Sequence, residues 1–189
     1  MILPLMQTLG TVDFFKSFGH GVFNNDSGKL ENWFMIEMGF NLRIPGWEDV
    51  QSMLGNGYSH LRNILGRVDN VEFHKMSMVV DYTNNNQTGR QGITLGPYIN
   101  TMNFYRDNWT NGRDHEYGHT LQSRVMGPFY TLKSGLPSII TSSFVEYHEK
   151  TWYEVWASKW GDAANFNQKY RYSPWWYWLL NIYTPFFPN

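Results

Sequence analysis

The residues best equipped for chemistry in this 189-residue chain are His115, Glu116 and His119, which stand together as His-Glu-Tyr-Gly-His. Residues four apart on a helix share a face, with Cβ atoms roughly 5–6 Å apart, so two such imidazoles can turn toward one metal ion. Glu116 follows the first histidine but is rotated about a sixth to a third of a turn around the helix axis. From there it can reach a metal-bound water without ligating the metal, which is the position of a general base. Chance placement of the six histidines and eight glutamates would produce this pattern in about 0.8% of such chains. Two unrelated histidines on one helix are therefore the weaker explanation.

The chemistry requires a helix, and the flanking residues predict one. Asn111 is the expected N-cap, Asp114 suits a first turn, and Gly127-Pro128 forms a stop about fifteen residues later. Gly118 inside it costs about 1 kcal/mol relative to alanine. The close approach of another backbone would account for that glycine.

A catalytic zinc needs a third protein ligand and an open position for water. The extended pattern H-E-x-x-H-x-x-G-x-x-H is absent, because Gln122 and Val125 stand where glycine and histidine are required. The downstream candidates are Glu146, His148, Glu149, Glu154 and Asp162. Glu154 is favoured. Trp152, Trp156 and Trp160 fall at helical spacing, which predicts a second helix with the tryptophans buried along one side and Glu154 on another. Ala157, one turn later, is small enough to let two helices pack closely. The competing reading takes Thr151-x-x-Glu154 as a capping box, in which case His148 becomes the third ligand. A tetrahedral oxyanion would need a donor besides the metal. Tyr153, His148, Tyr147 and Tyr117 are candidates, with His148 and Tyr153 preferred.

Composition narrows the function classes. Asp, Glu, Lys and Arg make up 16% of the chain, below the roughly 25% of an average soluble protein, and aromatic residues make up 18%. A net charge of −1 and the lack of any Lys/Arg-rich run argue against a nucleic-acid partner bound through phosphate neutralisation. No window approaches about 18 uninterrupted apolar residues, so no transmembrane segment is expected. The opening stretch MILPLMQTLGTVDFFK carries no visible signal peptide. Cysteine is absent, which excludes disulfides and thiolate ligands. Any Zn²⁺ site must then be built from histidine and carboxylate, the catalytic rather than the structural pattern.

The surrounding elements read as one α+β domain over residues 1–189. Residues 1–45 form an irregular and helical extension. A helix follows in which Val50, Met53, Leu54, Leu61, Ile64 and Leu65 hold helical spacing, with a break at Gly55-Asn56-Gly57. Residues 71–100 read as a single β-hairpin with a long polar tip, its second strand being GITLGPYIN. Pro97 cannot donate to a ladder and belongs at an edge or strand end. Residues 71–161 hold the core of the domain, and 171–189 form an aromatic C-terminal tail.

The pairing of HEYGH with a downstream Glu-x-x-Ala resembles the gluzincin group of zinc metallopeptidases. More narrowly, GITLGPYIN, DHEYGHTLQS, GPFY, GLPSIITS and WYEVWASKWG resemble uncharacterised zincin-like domains of bacterial proteins, some of them in large Rhs/YD-repeat toxin-like proteins. The likeness runs from about Val71 to Gly161. It implies a zincin-like fold, His115, His119 and Glu154 as zinc ligands, Glu116 as general base, and GITLGPYI as the edge strand along which a peptide or protein substrate lies. The expected activity is zinc-dependent peptide-bond hydrolysis. Two other classes compete with it. One is a non-catalytic zinc-containing module that binds a glycan or protein partner through its many rings. The other is a toxin-like effector whose tail around Trp175, Trp176 and Trp178 makes a peripheral membrane contact.

Overall fold

The computed structural model describes residues 27–142, 148–149 and 151–163. The aromatic tail, residues 1–26, Glu146 and Tyr147 lie outside the described residues. The elements are α1 (Ser27–Gly39), α2 (Asp49–Ile64), β1 (Asn70–His74), β2 (Ser77–Tyr82), β3 (Gln91–Leu95), β4 (Tyr98–Met102), α3 (Thr110–Met126), α4 (Leu136–Thr141) and α5 (Trp152–Gly161). The chain is α+β, with a four-stranded sheet and five helices among the described residues. None of these helices is long and apolar enough to cross a membrane.

The sheet corrects the expectation of one hairpin over 71–100. There are two hairpins, β1–β2 and β3–β4, and they join through a parallel pairing of β2 with β4, giving the order β1-β2-β4-β3. The run Val71–Tyr82 is broken at Lys75-Met76, where Lys75 takes φ 54° and His74 pairs with Ser77. The run Gly92–Asn100 is broken at Gly96-Pro97, where Gly96 has φ 61° and Leu95 pairs with Tyr98. Pro97 thus sits in a tight turn, where its missing N–H costs no ladder bond. The polar stretch 83–90 is a crossover from β2 to the far side of β4.

Strand alternation sends Met78, Val80 and Tyr98 to one face, where they pack with Ile36 of α1 and Val68 into the main core. The opposite face carries α3, tied to it by Ser77 Oγ–Thr120 Oγ1 at 3.3 Å and by Thr94 Oγ1–Glu116 Oε2 at 2.6 Å. Each core side chain of this size contributes about 1.5–3 kcal/mol of burial.

Helix α2 departs from expectation twice. It runs unbroken through Gly55-Asn56-Gly57. Gly55 is there for proximity, since a Cβ at that position would overlap the Leu95 carbonyl oxygen and stand 2.8 Å from the Tyr98 ring. Its apolar line also faces outward: Val50, Met53, Leu54, Leu61, Ile64 and Leu65 are exposed, while Gln51, Ser52, Ser59, Arg62 and Asn63 are buried. The buried polar groups are spent across the interface. Gln51 Nε2 donates to Gly127 O at 2.9 Å, Asn63 Nδ2 to Lys29 O at 2.7 Å, and Arg62 to Val80 O and Thr101 O at 3.0 and 2.7 Å. Hydrogen bonding to the sheet, to α1 and to the end of α3 seats this helix, while its apolar line stays outside.

Helix α3 starts two residues earlier than Asn111 as N-cap would place it. Trp109 occupies the N-cap position without a side-chain cap, and Gly112 lets its ring lie against the helix. The C-terminal stop is Gly127 at φ 54°, as its sequence predicts.

Candidate metal centre

Helix α3 and helix α5 supply the site, and small residues bring them together. A Cβ on Gly118 would overlap the Ala157 carbonyl, and one on Gly161 would overlap the Asp114 carbonyl. This is the close backbone approach that Gly118 and Ala157 imply in the sequence. Tyr153, Glu154, Ala157, Ser158 and Gly161 form the buried side of α5. The tryptophans do not: Trp152, Trp156 and Trp160 are only half-buried and pack on one another with centroids 5.1 and 5.5 Å apart. A seam built on glycine and alanine leaves no room for indoles, so they flank it.

Across that seam Glu154 Oε2 stands 2.9 Å from His115 Nε2 and 3.2 Å from His119 Nε2, with all three residues buried. The three residues lie close enough to hold a metal ion. The capping-box alternative for Glu154 does not occur. Its Oε1 accepts from Ser138 Oγ at 2.7 Å, and the Thr151 N–H donates to His148 O instead. His148 lies beside the cluster, its Nε2 3.6 Å from Glu154 Oε1. Glu149 is exposed, and Asp162 is the exposed left-handed residue that ends α5.

The hydrogen bonds behind the histidines assign their tautomers. Gln122 Nε2 donates to Tyr153 O at 2.6 Å, so its Oε1 faces His119 Nδ1 at 2.9 Å as an acceptor, and it also accepts from Ser134 Oγ. Ser158 Oγ donates to Glu154 O at 3.0 Å and therefore accepts from His115 Nδ1 at 2.9 Å. Each Nδ1 thus donates, which makes each Nε2 the nitrogen that faces the carboxylate, where it carries either a proton or a lone pair directed at a metal ion. Two lone pairs and a carboxylate oxygen at this separation are mutually repulsive unless a cation lies among them. Ligands about 2.0–2.1 Å from a tetrahedral zinc stand roughly 3.3 Å apart, close to the spacing observed.

The electrostatics agree. Burial alone would lower His119, but the charge and hydrogen bond of Glu154, with Glu116 nearby, raise it to about 9. Burial would raise Glu154, yet His119 and His115 hold its carboxyl well below the usual range. The cluster stabilises positive charge from both directions.

Glu116 lines the same small cavity, of about 110 Å³, with the three ligand residues, His148 and Tyr130. Its Oε2 takes the Thr94 hydroxyl at 2.6 Å, and its carboxylate lies against Gly92 on β3. Tyr153 is buried, and its hydroxyl partners Thr141 Oγ1 at 2.7 Å, the same oxygen that faces His148 Nδ1 at 3.0 Å. Tyr117 is turned away, packed beside His74 and Lys75. Tyr130 was not singled out from sequence. It is buried in the cavity wall and donates to Thr94 O at 3.0 Å, with its phenol raised well above the ordinary value by burial and by the Glu116 and Glu154 charges. Thr94 carries no signal in the sequence, and the support that Gln122 gives His119 is marked there only by its one-turn offset.

Compared with known proteins, the chain matches no family model, no curated protein and no solved structure.

Proposed function

We propose that this protein is a zinc-dependent hydrolase of peptide bonds. The observation that carries the reading is the convergence of His115, His119 and Glu154 beside a carboxylate, Glu116, that is held apart from them by Thr94 and Gly92. Bound there, zinc would supply an activated water and polarise a carbonyl. A site serving structure alone has no use for Glu116, which lies in the cavity yet outside the ligand set. Glu116 accepts the proton of the attacking water and passes it to the leaving amine. Thr94 keeps its carboxylate in one orientation, leaving the other oxygen toward Gly92. His148 lines the cavity and Tyr153 supports it through Thr141, which makes His148 the nearer of the two to a developing oxyanion. Among the described residues β3 is an edge strand of the sheet, a position from which it would offer main-chain hydrogen bonds to an extended substrate.

The test is Glu116→Gln. The variant should retain zinc, measured by elemental analysis, while hydrolysis of a responsive peptide falls by a factor on the order of 10² or more. Hydrolysis at the parent rate removes Glu116 as base and the reading with it.

A further inference from the structure

Strand β3 separates two cavities. Gly92 and Thr94 turn to the α3 side, against Glu116, while Gln91 and Ile93 turn to the α2 side. On that second side lies a larger cavity of about 490 Å³, lined among others by Tyr58, Leu61, Arg62, Leu65 and Arg67. Gly92 and Ile93 border both cavities. A peptide added along the edge that β3 forms among the described residues alternates its side chains as β3 does, so every second one is directed to this larger cavity.

The cavity combines apolar walls with cationic groups. Arg62 is buried, and three of its N–H groups are spent on Val80 O, Thr101 O and Asn100 Oδ1. A guanidinium has five, which leaves two without acceptors among the described residues. No ion pair joins Arg62 or exposed Arg67 to a carboxylate among the described residues. The nearby acids act on Arg62 through their charge but bond elsewhere: Asp81 takes the Thr101 hydroxyl at 2.6 Å and the Tyr105 N–H at 3.2 Å, and Asp69 takes the Thr83 N–H at 2.6 Å. Burial pushes the Arg62 guanidinium down from its ordinary value and Arg67 adds to this, while Tyr58, Asp81 and Asp69 oppose it. Asn100 Oδ1 accepts from Ser59 and Arg62, and its buried Nδ2 has no acceptor among the described residues. Unspent donors, two cations and the exposed faces of Leu61, Leu65 and Tyr58 suit a carboxylate on an aliphatic stem.

We propose that this cavity is a substrate subsite for an acidic side chain, so that a peptide lying along β3 is selected for glutamate or aspartate at a position directed away from the metal centre. The inference rests on the peptidase reading, but its test does not. Zinc-loaded Glu116→Gln protein is titrated by calorimetry with acetylated, amidated hexa-alanine peptides carrying one Glu, Gln or Lys walked through each position. At one position Glu should bind about tenfold tighter than Gln, and Lys more weakly than either. Arg67→Glu should invert that order while zinc content and thermal stability stay unchanged. Equal binding of the three peptides, no binding of any, or an unchanged order in Arg67→Glu overturns the subsite. Hydrolysis by the parent separates the two claims. Cleavage without acid preference removes the subsite and leaves the peptidase, whereas acid-selective binding without cleavage of any peptide does the reverse.

Discussion

Gly118 and Ala157 meet backbone to backbone: no side-chain atom fits at Gly118 without overlapping the Ala157 carbonyl. The metal centre depends on this, since His115 lies about one turn before Gly118, His119 directly follows it, and Glu154 sits about one turn before Ala157. Alanine at position 118 would gain about 1 kcal/mol in helix propensity. Overpacking against rigid backbone costs more, typically about 1–3 kcal/mol and here at the upper end or beyond. Gly118→Ala should therefore melt several degrees lower by circular dichroism and bind zinc more weakly in a chelator competition. A variant as stable and as tight as the parent would show that the helices can part without consequence.

Gln122 orients His119 from behind. Its Oε1 can accept from Nδ1 only because its Nε2 is committed to Tyr153 O. Gln122→Leu removes both, leaving His119 free to take the tautomer that cannot ligate. Zinc affinity should fall about 10–100-fold, as for other groups that hold a metal-binding histidine in place. The check is competition against a chromogenic chelator, with unaltered affinity as the contrary result.

What could be read from the sequence, and what could not, follows from how local each signal is. His115, His119 and Glu116 were legible because a period of 3.6 fixes their relative directions once the segment is helical. Gly118 and Ala157 were legible as a close approach because small residues on two helices have few other uses. The two hairpins were not. Lys75-Met76 carries no glycine or asparagine to mark a turn, and residues 83–90 resemble a hairpin tip although they are a crossover. Gly55 was misread for a related reason. A glycine that breaks a helix and one that admits a neighbouring strand are the same letter, and only the position of Tyr98 distinguishes them. The outward apolar line of α2 was beyond reach, because its polar side is buried by long-range bonds to Asn100, Thr101 and Gly127.

The metal-free cluster gives stability a definite pH dependence. His119 is raised from 6.5 to about 9, so its contribution is complete below pH 6.5 and is lost as pH rises through about 9. Glu154 is depressed from 4.5, so its contribution is complete above 4.5 and is lost as pH falls through its lowered value. Protein stripped of metal should therefore be most stable between these limits and lose up to about 3 kcal/mol on going from pH 6.5 to 9. A cation in place of the proton removes the alkaline loss. Thermal melts of stripped and zinc-loaded protein at pH 6.5, 8 and 9 test this; a stripped protein equally stable at all three contradicts the Glu154–His119 coupling.

Gly92 offers the sharpest separation of metal binding from catalysis. It lies on β3, far along the chain from the ligands, yet a Cβ there would overlap Glu116 Oε1 and stand 2.5 Å from Cδ. The three atoms nearest to that Cβ all belong to Glu116. Alanine must therefore push the Glu116 carboxylate out of its place, and the Thr94 hydroxyl loses its 2.6 Å bond to Oε2 as this happens. The three ligands stay where α3 and α5 put them, because their own supports are Gln122, Ser158 and Ser138. Gly92→Ala should accordingly keep full zinc content while kcat drops about 10–100-fold, a fraction of what loss of a general base costs. Pairing it with Glu116→Gln sharpens the test: if both act through one carboxylate, the double variant should be no slower than Glu116→Gln alone. A further multiplicative loss in the double variant would mean that Gly92 serves the reaction by some route other than Glu116.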